Sequence, residues 1–286
     1  MERKQMAAAS RCTPRALWVT PEVAFLPLVF VNVCFIGRPC TEPMDWLLVD
    51  TGPFNLAEPI IRAAEELFGR NNPPKAILLT QGHFDHVGSV VELANRWDVP
   101  VFAHPLELPY LTGASDYPPP DPQVSNGLLA QLSPLFPRHT IDLGDRVKPL
   151  PPDGSLPWLP DWRWLHTPGH TPGHISLFQN EERVLVAGDA FTTVRPESGE
   201  AVEKQQTEVH GPPAYFTTDW LAAWDSVKLL ASLWPELAIT GHGRPMRGAE
   251  LRRQLQQLAD CFDVLAIPEQ GMYVPDLIPA GAQTMT

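Results

Sequence analysis

Apolar and polar positions alternate in blocks over the first hundred residues, and these blocks predict strands and helices in turn. Short continuous apolar runs, which are typical of buried strands, occupy residues 29–36, 46–49, 76–79 and 99–103. Apolar positions three and four apart predict an amphipathic helix over 56–68, with Leu56, Ile60, Ile61, Ala64 and Leu67 on its apolar face. A second helix is predicted over 87–97. This alternation favours a layered α/β fold.

The second half of the chain repeats the alternation. Strands are predicted at 162–166, 175–179, 183–187 and 237–239. Helices are predicted at 218–233, with Asp219 near the start, and at 247–262, with Leu251, Leu255 and Leu258 on one face. The most apolar stretch, 24–37, is too short to span a bilayer and is rich in β-branched residues, so we interpret it as buried strand and expect no membrane association.

Length and composition are compatible with one large folded unit. The chain has 286 residues, of which 44% are hydrophobic, and its 33 prolines fall largely in loops. We expect residues 1–12 to form a loose N-terminal extension and residues 13–286 to form a single domain. The formal net charge of −12 argues against a nucleic-acid partner, because a phosphate backbone is bound through clustered cationic side chains.

Candidate metal ligands follow four of the short apolar segments. The loop GHFDH after the strand at 76–79 carries His83, Asp85 and His86. The segments PGH, GD and GHG present His170, Asp189 and His242. Imidazole and carboxylate are the usual ligands of catalytic zinc. A single histidine at a strand end, such as His104 or His139, is more often structural or solvated. Four such segments in one chain instead predict a bound metal ion.

In this order, the four segments resemble those of the metallo-β-lactamase superfamily, and Asp50-Thr51-Gly52 matches its early strand-end turn. The resemblance runs from about residue 23 to 258. It implies a four-layer αβ/βα sandwich, in which two mixed β-sheets are flanked by helices and the metal lies at one edge between the sheets.

The resemblance also implies how the ligands are shared between two metal ions. One ion is held by His83, His170 and a further histidine, which is replaced here by Gln81. The other is held by Asp85, His86 and His242, and Asp189 bridges the two. An amide is a weaker ligand than imidazole, so Gln81 is expected to be a weak or absent ligand. The site then holds either two ions, one of them weakly, or a single ion. We expect Zn²⁺, with Fe or Mn as alternatives.

Four further side chains have two interpretations each. His166 and His174 flank His170, and they are either supporting groups that orient a ligand or ordinary loop histidines. His210 and Tyr215 either contact substrate and stabilise an oxyanion, or are a solvated histidine and a packing tyrosine. For the second pair the structural interpretation is favoured.

The function expected from the resemblance is metal-dependent hydrolysis of a small ester, lactone or thioester, as in lactonases and glyoxalase II. Metal-activated water attacks the carbonyl, and Asp85 orients the nucleophile or passes a proton to the leaving group. Two alternatives remain: an iron-dependent oxidoreductase of the same fold, such as a persulfide dioxygenase, and a non-catalytic metal-binding scaffold. Gln81 argues against the first, and the near-complete ligand set argues against the second.

The cellular setting follows from cysteine usage and the N-terminus. The four cysteines Cys12, Cys34, Cys40 and Cys261 form no CxxC pair, so we expect free thiols in a reducing compartment. The polar and proline residues within 6–20 interrupt any signal-peptide core. A cytoplasmic enzyme with a small-molecule substrate is expected, and the sequence leaves an oligomer open.

Overall fold

The computed structural model describes residues 15–39, 45–138 and 141–275. The predicted extension at 1–12, together with Cys12, Cys40 and His139, lies outside the described residues. Cys34 and Cys261 are free, one buried and the other exposed. Among the described helices, none has the length and apolar character needed to cross a bilayer.

Two β-sheets form the centre of the structure. In the first sheet the strands lie in chain order, antiparallel from β1 to β4 and parallel from β4 to β7. These strands are β1 (Leu17–Trp18), β2 (Val23–Leu28), β3 (Val31–Gly37), β4 (Trp46–Val49), β5 (Ala76–Leu78), β6 (Val101–Ala103) and β7 (Val147–Pro149).

The second sheet has the order β12-β11-β10-β9-β8, and only its β10–β11 pairing is parallel. Its strands are β8 (Trp162–His166), β9 (Ile175–Gln179), β10 (Val184–Gly188), β11 (Leu237–Thr240) and β12 (Met246–Arg247). Both sheets are therefore mixed.

The helices of the described residues are mostly short. They are α1 (Ala57–Phe68), α2 (Phe84–Val87), α3 (Val90–Trp97), α4 (Leu108–Leu111), α5 (Leu128–Leu132), α6 (Gly199–Lys204), α7 (Trp220–Ser232), α8 (Gly248–Asp260) and α9 (Phe262–Leu265). The longest three, α1, α7 and α8, agree with predicted helices to within two residues at each end. Asp219 caps α7 by accepting a hydrogen bond from the backbone N–H of Ala222.

Three buried clusters define four layers. One lies between the first sheet and helices α1 and α3, and includes Phe35 and Ile60. A second lies between the two sheets, where Ile36 of β3 belongs to the same cluster as Leu177 of β9. The third lies between the second sheet and helices α7 and α8. Each strand that is covered on both faces can be apolar at every position, which explains the continuous apolar runs in the sequence.

Two elements differ from the prediction. The apolar stretch 24–37 contains a hairpin, because β2 and β3 are separated by a tight turn at Val29 and Phe30. Val29 has a left-handed φ of 48° and is 80% exposed. The helix predicted at 87–97 is two helices, α2 and α3, divided at Gly88 and Ser89, where the Ser89 hydroxyl donates to the Pro53 carbonyl.

Candidate metal centre

The predicted ligands meet because their strands end at one edge of the two sheets. Strands β8, β10 and β11 run in the same direction, so the residues that follow them emerge on the same side. These residues include His170, Asp189 and His242. The loop after β5 brings His83, and Asp85 and His86 lie in α2. All six side chains are buried.

Asp85, His86 and His242 form one compact group. Each offers a ligand atom, and the three atoms lie within 4.8 Å of one another. The Nε2 atom of His242 is 3.5 Å from Asp85 Oδ2. This is the set of residues that the family resemblance assigns to one metal ion.

His83 and His170 form a second group beside the first. His83 Nδ1 and His170 Nε2 are 3.1 Å apart. Asp189 Oδ2 lies between the groups, at 3.4 Å from His170 Nε2, 3.1 Å from His86 Nε2 and 3.3 Å from His242 Nε2. The Asp189 carboxylate therefore occupies the position of a bridging ligand.

Hydrogen bonds on the outer side of three histidine rings orient their Nε2 atoms toward the centre. The Nδ1 atom of His86 is 2.8 Å from Asp50 Oδ2, and that of His242 is 2.8 Å from the Phe30 carbonyl oxygen. His170 Nδ1 is 3.2 Å from Thr217 Oγ1. A carboxylate or carbonyl oxygen accepts a hydrogen bond from Nδ1–H, so Nε2 is the atom of His86 and His242 that can bind a metal.

The arrangement fits a divalent cation. Ligands bound to zinc at 2.0–2.2 Å in a tetrahedron are separated by about 3.4 Å, close to the separations of 3.1–3.5 Å seen here. Imidazole nitrogens that face carboxylate oxygens need a positive charge between them, which either a proton or a metal ion supplies. Asp189 Oδ1 and Gln81 Oε1 are also buried without a hydrogen-bond partner, which a nearby cation would compensate.

The histidines of the site differ in protonation when no metal is bound. Burial lowers the pKa of His83 to about 3 and lowers the pKa of His170 well below its ordinary value, so both rings are neutral at pH 7, as metal ligands must be. Burial also opposes protonation of His242, but the carboxylates of Asp189 and Asp85 outweigh it and raise its pKa to about 9. The pKa of His86 is likewise raised well above its ordinary value, because the carboxylates of Asp189, Asp50 and Asp85 outweigh the effect of burial. Without metal these two rings therefore hold a proton at pH 7, which a bound cation would displace.

Gln81 interacts with the bridging carboxylate. Its Nε2 atom donates a 2.7 Å hydrogen bond to Asp189 Oδ2, and the side chain is completely buried. At the sequence position where the family resemblance places an additional histidine, this amide contacts Asp189 through its N–H group. A coordinating role for Gln81 remains a hypothesis.

His174 and His166 lie in different surroundings. The ring of His174 is buried, and its Nε2 accepts a 2.8 Å hydrogen bond from the backbone N–H of Asp189. His166 is exposed; its Nε2 donates to the Pro172 carbonyl at 2.9 Å, and its ring stacks on His104. Of the two, His174 is the one that the structure places against a candidate ligand.

His210 and Tyr215 also lie in different surroundings. His210 is half-buried, pairs with Glu208 and lines a surface pocket with Arg195 and Glu197. Tyr215 lines a cavity that also contacts Asp85. Burial, reinforced by the negative charge of Asp85, raises the pKa of Tyr215 well above 10, so its phenol keeps its proton.

Glu107 is a supporting residue that the sequence did not reveal. Its buried carboxylate accepts hydrogen bonds from Gly82 N at 3.0 Å and Tyr117 Oη through Oε2, and from Thr171 Oγ1 and Gly173 N, both at 2.8 Å, through Oε1. Gly82 precedes His83, and Thr171 follows His170. Glu107 therefore joins the two loops that carry these histidines. No local motif indicates this role, because the partners are distant in sequence.

Two glycines permit the close approach of neighbouring groups. Gly188 has a φ of 54°, and a Cβ there would lie 2.5 Å from His174 Nε2. A Cβ on Gly241 would lie 2.1 Å from Asp189 Oδ1. Side chains at either position would displace the bridging carboxylate or the ring that supports it.

Comparisons with known proteins identify the family. The model of the metallo-beta-lactamase superfamily matches residues 26–242. The "Probable metallo-hydrolase YflN" of Bacillus subtilis is 51% identical over 235 residues, covering 82% of this chain and 89% of that protein. The "Hydroxyacylglutathione hydrolase GloC" of Haemophilus influenzae is 30% identical over 139 residues, covering 49% of this chain and 58% of that protein. The crystal structure of TTHA1623 in a di-iron-bound form has a TM-score of 0.52 at 27% identity, covering 84% of this chain and 97% of that one.

The chain belongs to the metallo-β-lactamase superfamily. The predicted family and the predicted fold of two mixed sheets flanked by helices are thereby confirmed. The predicted class of enzyme, a metal-dependent hydrolase, is confirmed as well. The superfamily binds divalent metals, in agreement with the donor set described above.

Proposed function

We propose that the protein is a zinc-dependent hydrolase that uses activated water to cleave a small ester, lactone or thioester. One observation carries the proposal: six buried imidazole and carboxylate side chains, with Asp189 between the two groups, converge at one site, and one of them, Asp85, borders a cavity. His83, His170 and Asp189 would hold one ion, and Asp85, His86, His242 and Asp189 another. A bound divalent ion supplies a water molecule with a pKa of about 7 and polarises the carbonyl.

The side chains of the protein have separate tasks in this proposal. Asp85 lies at the cavity wall, where its carboxylate orients the nucleophile and then carries a proton to the leaving group. Tyr215 keeps its proton, so its hydroxyl is a hydrogen-bond donor for the developing oxyanion. His174 and Glu107 position the backbone around the ligands rather than contacting substrate.

The proposed substrate class is supported by the reactivity of metal-activated water and by the similarity of part of the chain to a hydroxyacylglutathione hydrolase. Water activated at neutral pH is suited to carbonyl carbons with oxygen or sulfur leaving groups. The similarity to a hydroxyacylglutathione hydrolase over about half of the chain supports including thioesters.

The test combines metal quantification with a hydrolysis panel on one preparation. Protein expressed with supplemented zinc, iron or manganese is analysed for metal per chain, then assayed on a phenyl ester, a γ-lactone and an acyl thioester. We expect zinc-dependent turnover that chelation removes. Stoichiometric iron with oxygen uptake would favour an oxidoreductase, and bound metal without any turnover would favour a scaffold.

Two variants locate the reaction in this site. Asp85→Ala is expected to lower kcat/KM at least a thousandfold while the protein stays folded, and Asp263→Ala, at an exposed acidic position, is the matched control. His86→Ala should behave like Asp85→Ala. Full activity in both site variants would refute the proposal.

A further inference from the structure

A large cavity opens beside the candidate metal centre. It has a volume of about 1220 Å³ and is bordered by Asp85. Small-molecule sites usually occupy about 300–1,000 Å³, so this cavity has room for a substrate well beyond an acetyl group. Because the cavity lies next to a metal ligand, it is placed to hold the part of a substrate that flanks the reacting carbonyl.

One wall of the cavity is the β2–β3 hairpin. Phe25, Pro27, Val29 and Phe30 of this hairpin line the cavity. The ring of Phe30 stacks on the ring of His242, with ring centroids 6.3 Å apart and planes 10° apart. Asn32 of the hairpin also lines the cavity, but its side-chain amide donates to the carbonyls of Thr240 and Gly243. This wall is therefore mainly apolar up to the candidate metal ligand.

A second wall is an aromatic cluster. It consists of Phe84, Phe136, Tyr215 and Phe216. Phe136 contacts the other three rings of the cluster. Its ring centroid lies 5.6 Å from that of Phe84, 6.0 Å from that of Tyr215 and 6.1 Å from that of Phe216. Phe216 in turn stacks on His83, with ring centroids 4.5 Å apart. The second wall is thus also aromatic where it meets the ligands.

The charged groups of the cavity lie mainly at its outer rim. Glu203, Arg244 and Arg247 line it and are exposed. Arg247 donates a hydrogen bond to the Val19 carbonyl. Among the described residues, these three and Asp85 are the charged side chains that line the cavity.

From these walls we infer that the substrate carries an apolar acyl or aryl group of several carbons, which packs against the walls of the cavity while its carbonyl reaches the metal centre. This inference rests on the proposed function and narrows its substrate class. A highly charged tripeptide thioester would place polar groups against aromatic walls, and burying polar groups without partners is unfavourable. An alkyl or aryl chain instead gains free energy with each carbon that leaves water.

The test is a chain-length series of p-nitrophenyl esters from acetate to octanoate, assayed with the zinc-loaded full-length protein. Burial of one methylene is worth up to about a fourfold increase in kcat/KM. We expect kcat/KM to rise at least tenfold across the series. Values that stay within twofold of each other, or that fall with chain length, would overturn the inference.

Cavity variants then tie the preference to these walls. Phe136→Ala should reduce the octanoate-to-acetate ratio of kcat/KM about tenfold, whereas Leu135→Ala, at a neighbouring exposed position outside the cavity, should leave the ratio unchanged. Val29→Asn is a second cavity variant, at an exposed position whose backbone suits asparagine. An unchanged octanoate-to-acetate ratio in both cavity variants would contradict the apolar substrate site. A change in oligomeric state in Phe136→Ala would also contradict it, because this face would then bind a second copy of the chain.

A binding measurement separates failure of this inference from failure of the proposed function. Calorimetric titration of the zinc-loaded protein with sodium acetate and sodium octanoate requires no turnover. Tighter binding of octanoate, lost in Phe136→Ala, would support an apolar site even if no ester were hydrolysed, and the proposed function would then be wrong. Ester hydrolysis with equal binding of the two carboxylates would leave the function standing and refute the apolar substrate.

Discussion

The Gln81 side-chain amide donates a 2.7 Å hydrogen bond to Asp189 Oδ2, the carboxylate oxygen that also lies within 3.4 Å of His86, His170 and His242. The residue that replaces a family histidine therefore touches the proposed bridging ligand. Such a contact limits how freely this carboxylate can turn, and it leaves His83 and His170 as the remaining imidazoles of their group.

Gln81→His is therefore expected to strengthen the weaker metal position. An imidazole nitrogen is a better zinc ligand than an amide oxygen. Zinc per chain, measured by mass spectrometry after dialysis against a mild chelator, should rise from about one toward two. Gln81→Asn, which has the same chemistry but a shorter side chain, serves as the control. Equal zinc content in the wild type and Gln81→His would refute a weak site at this position.

Glu107 provides a second prediction, because its carboxylate connects the loops of His83 and His170. Glu107→Gln replaces one acceptor oxygen with an NH₂ group that faces N–H or O–H donors. We expect a loss of about 1–3 kcal/mol in the free energy of unfolding and a 10- to 100-fold loss in zinc affinity. Denaturant unfolding and competitive chelator titration measure the two quantities.

Glu92→Gln is the control for this substitution, because Glu92 is exposed and lies in helix α3, outside the metal centre. A variant of Glu107 with lowered stability but unchanged zinc affinity would show that the carboxylate serves packing alone.

The sequence predicted strands best where polar residues flank the strand on both sides. Strands β4, β8 and β9 have the predicted bounds, 46–49, 162–166 and 175–179. The β2–β3 hairpin was missed because every position of the two strands except Pro27 is buried, so their apolar residues form nearly one run. Its turn at Val29 and Phe30 contains none of the glycine or asparagine residues that usually indicate a hairpin.

The same reasoning explains which parts of the site were predictable. Each candidate ligand follows a short apolar segment and lies beside or near a glycine, so the ligand types and their order are visible in the sequence. Glu107 and the cavity walls depend on residues brought together from distant segments. Phe30 meets His242 across more than 200 residues, for example, and no local pattern encodes that contact.

His174 and His166 form a matched pair for a third prediction, since they lie in the same segment but only His174 contacts Asp189. His174→Ala removes the acceptor for the Asp189 N–H group and leaves a space beneath the carboxylate. Zinc affinity should fall 10- to 100-fold, as is usual when a supporting partner of a metal ligand is lost. His166→Ala should change zinc affinity less than twofold. Similar losses in both variants would indicate a general disturbance of the loop.

Metal removal provides the last prediction, because the buried carboxylates and imidazoles of the site lose their common counter-charge when the ion is withdrawn. An ion that binds only the folded chain stabilises it by about 4 kcal/mol when its free concentration is a thousand times Kd. Chelation should therefore lower Tm by several degrees, and added zinc should restore it. His242→Ala should show a reduced zinc-dependent rise in Tm, because it removes one of the ligands that converge on Asp189. His104→Ala, whose ring stacks on His166 away from the ligands, should keep the full zinc-dependent rise. A Tm independent of zinc in the wild-type protein would contradict a metal centre in the folded state.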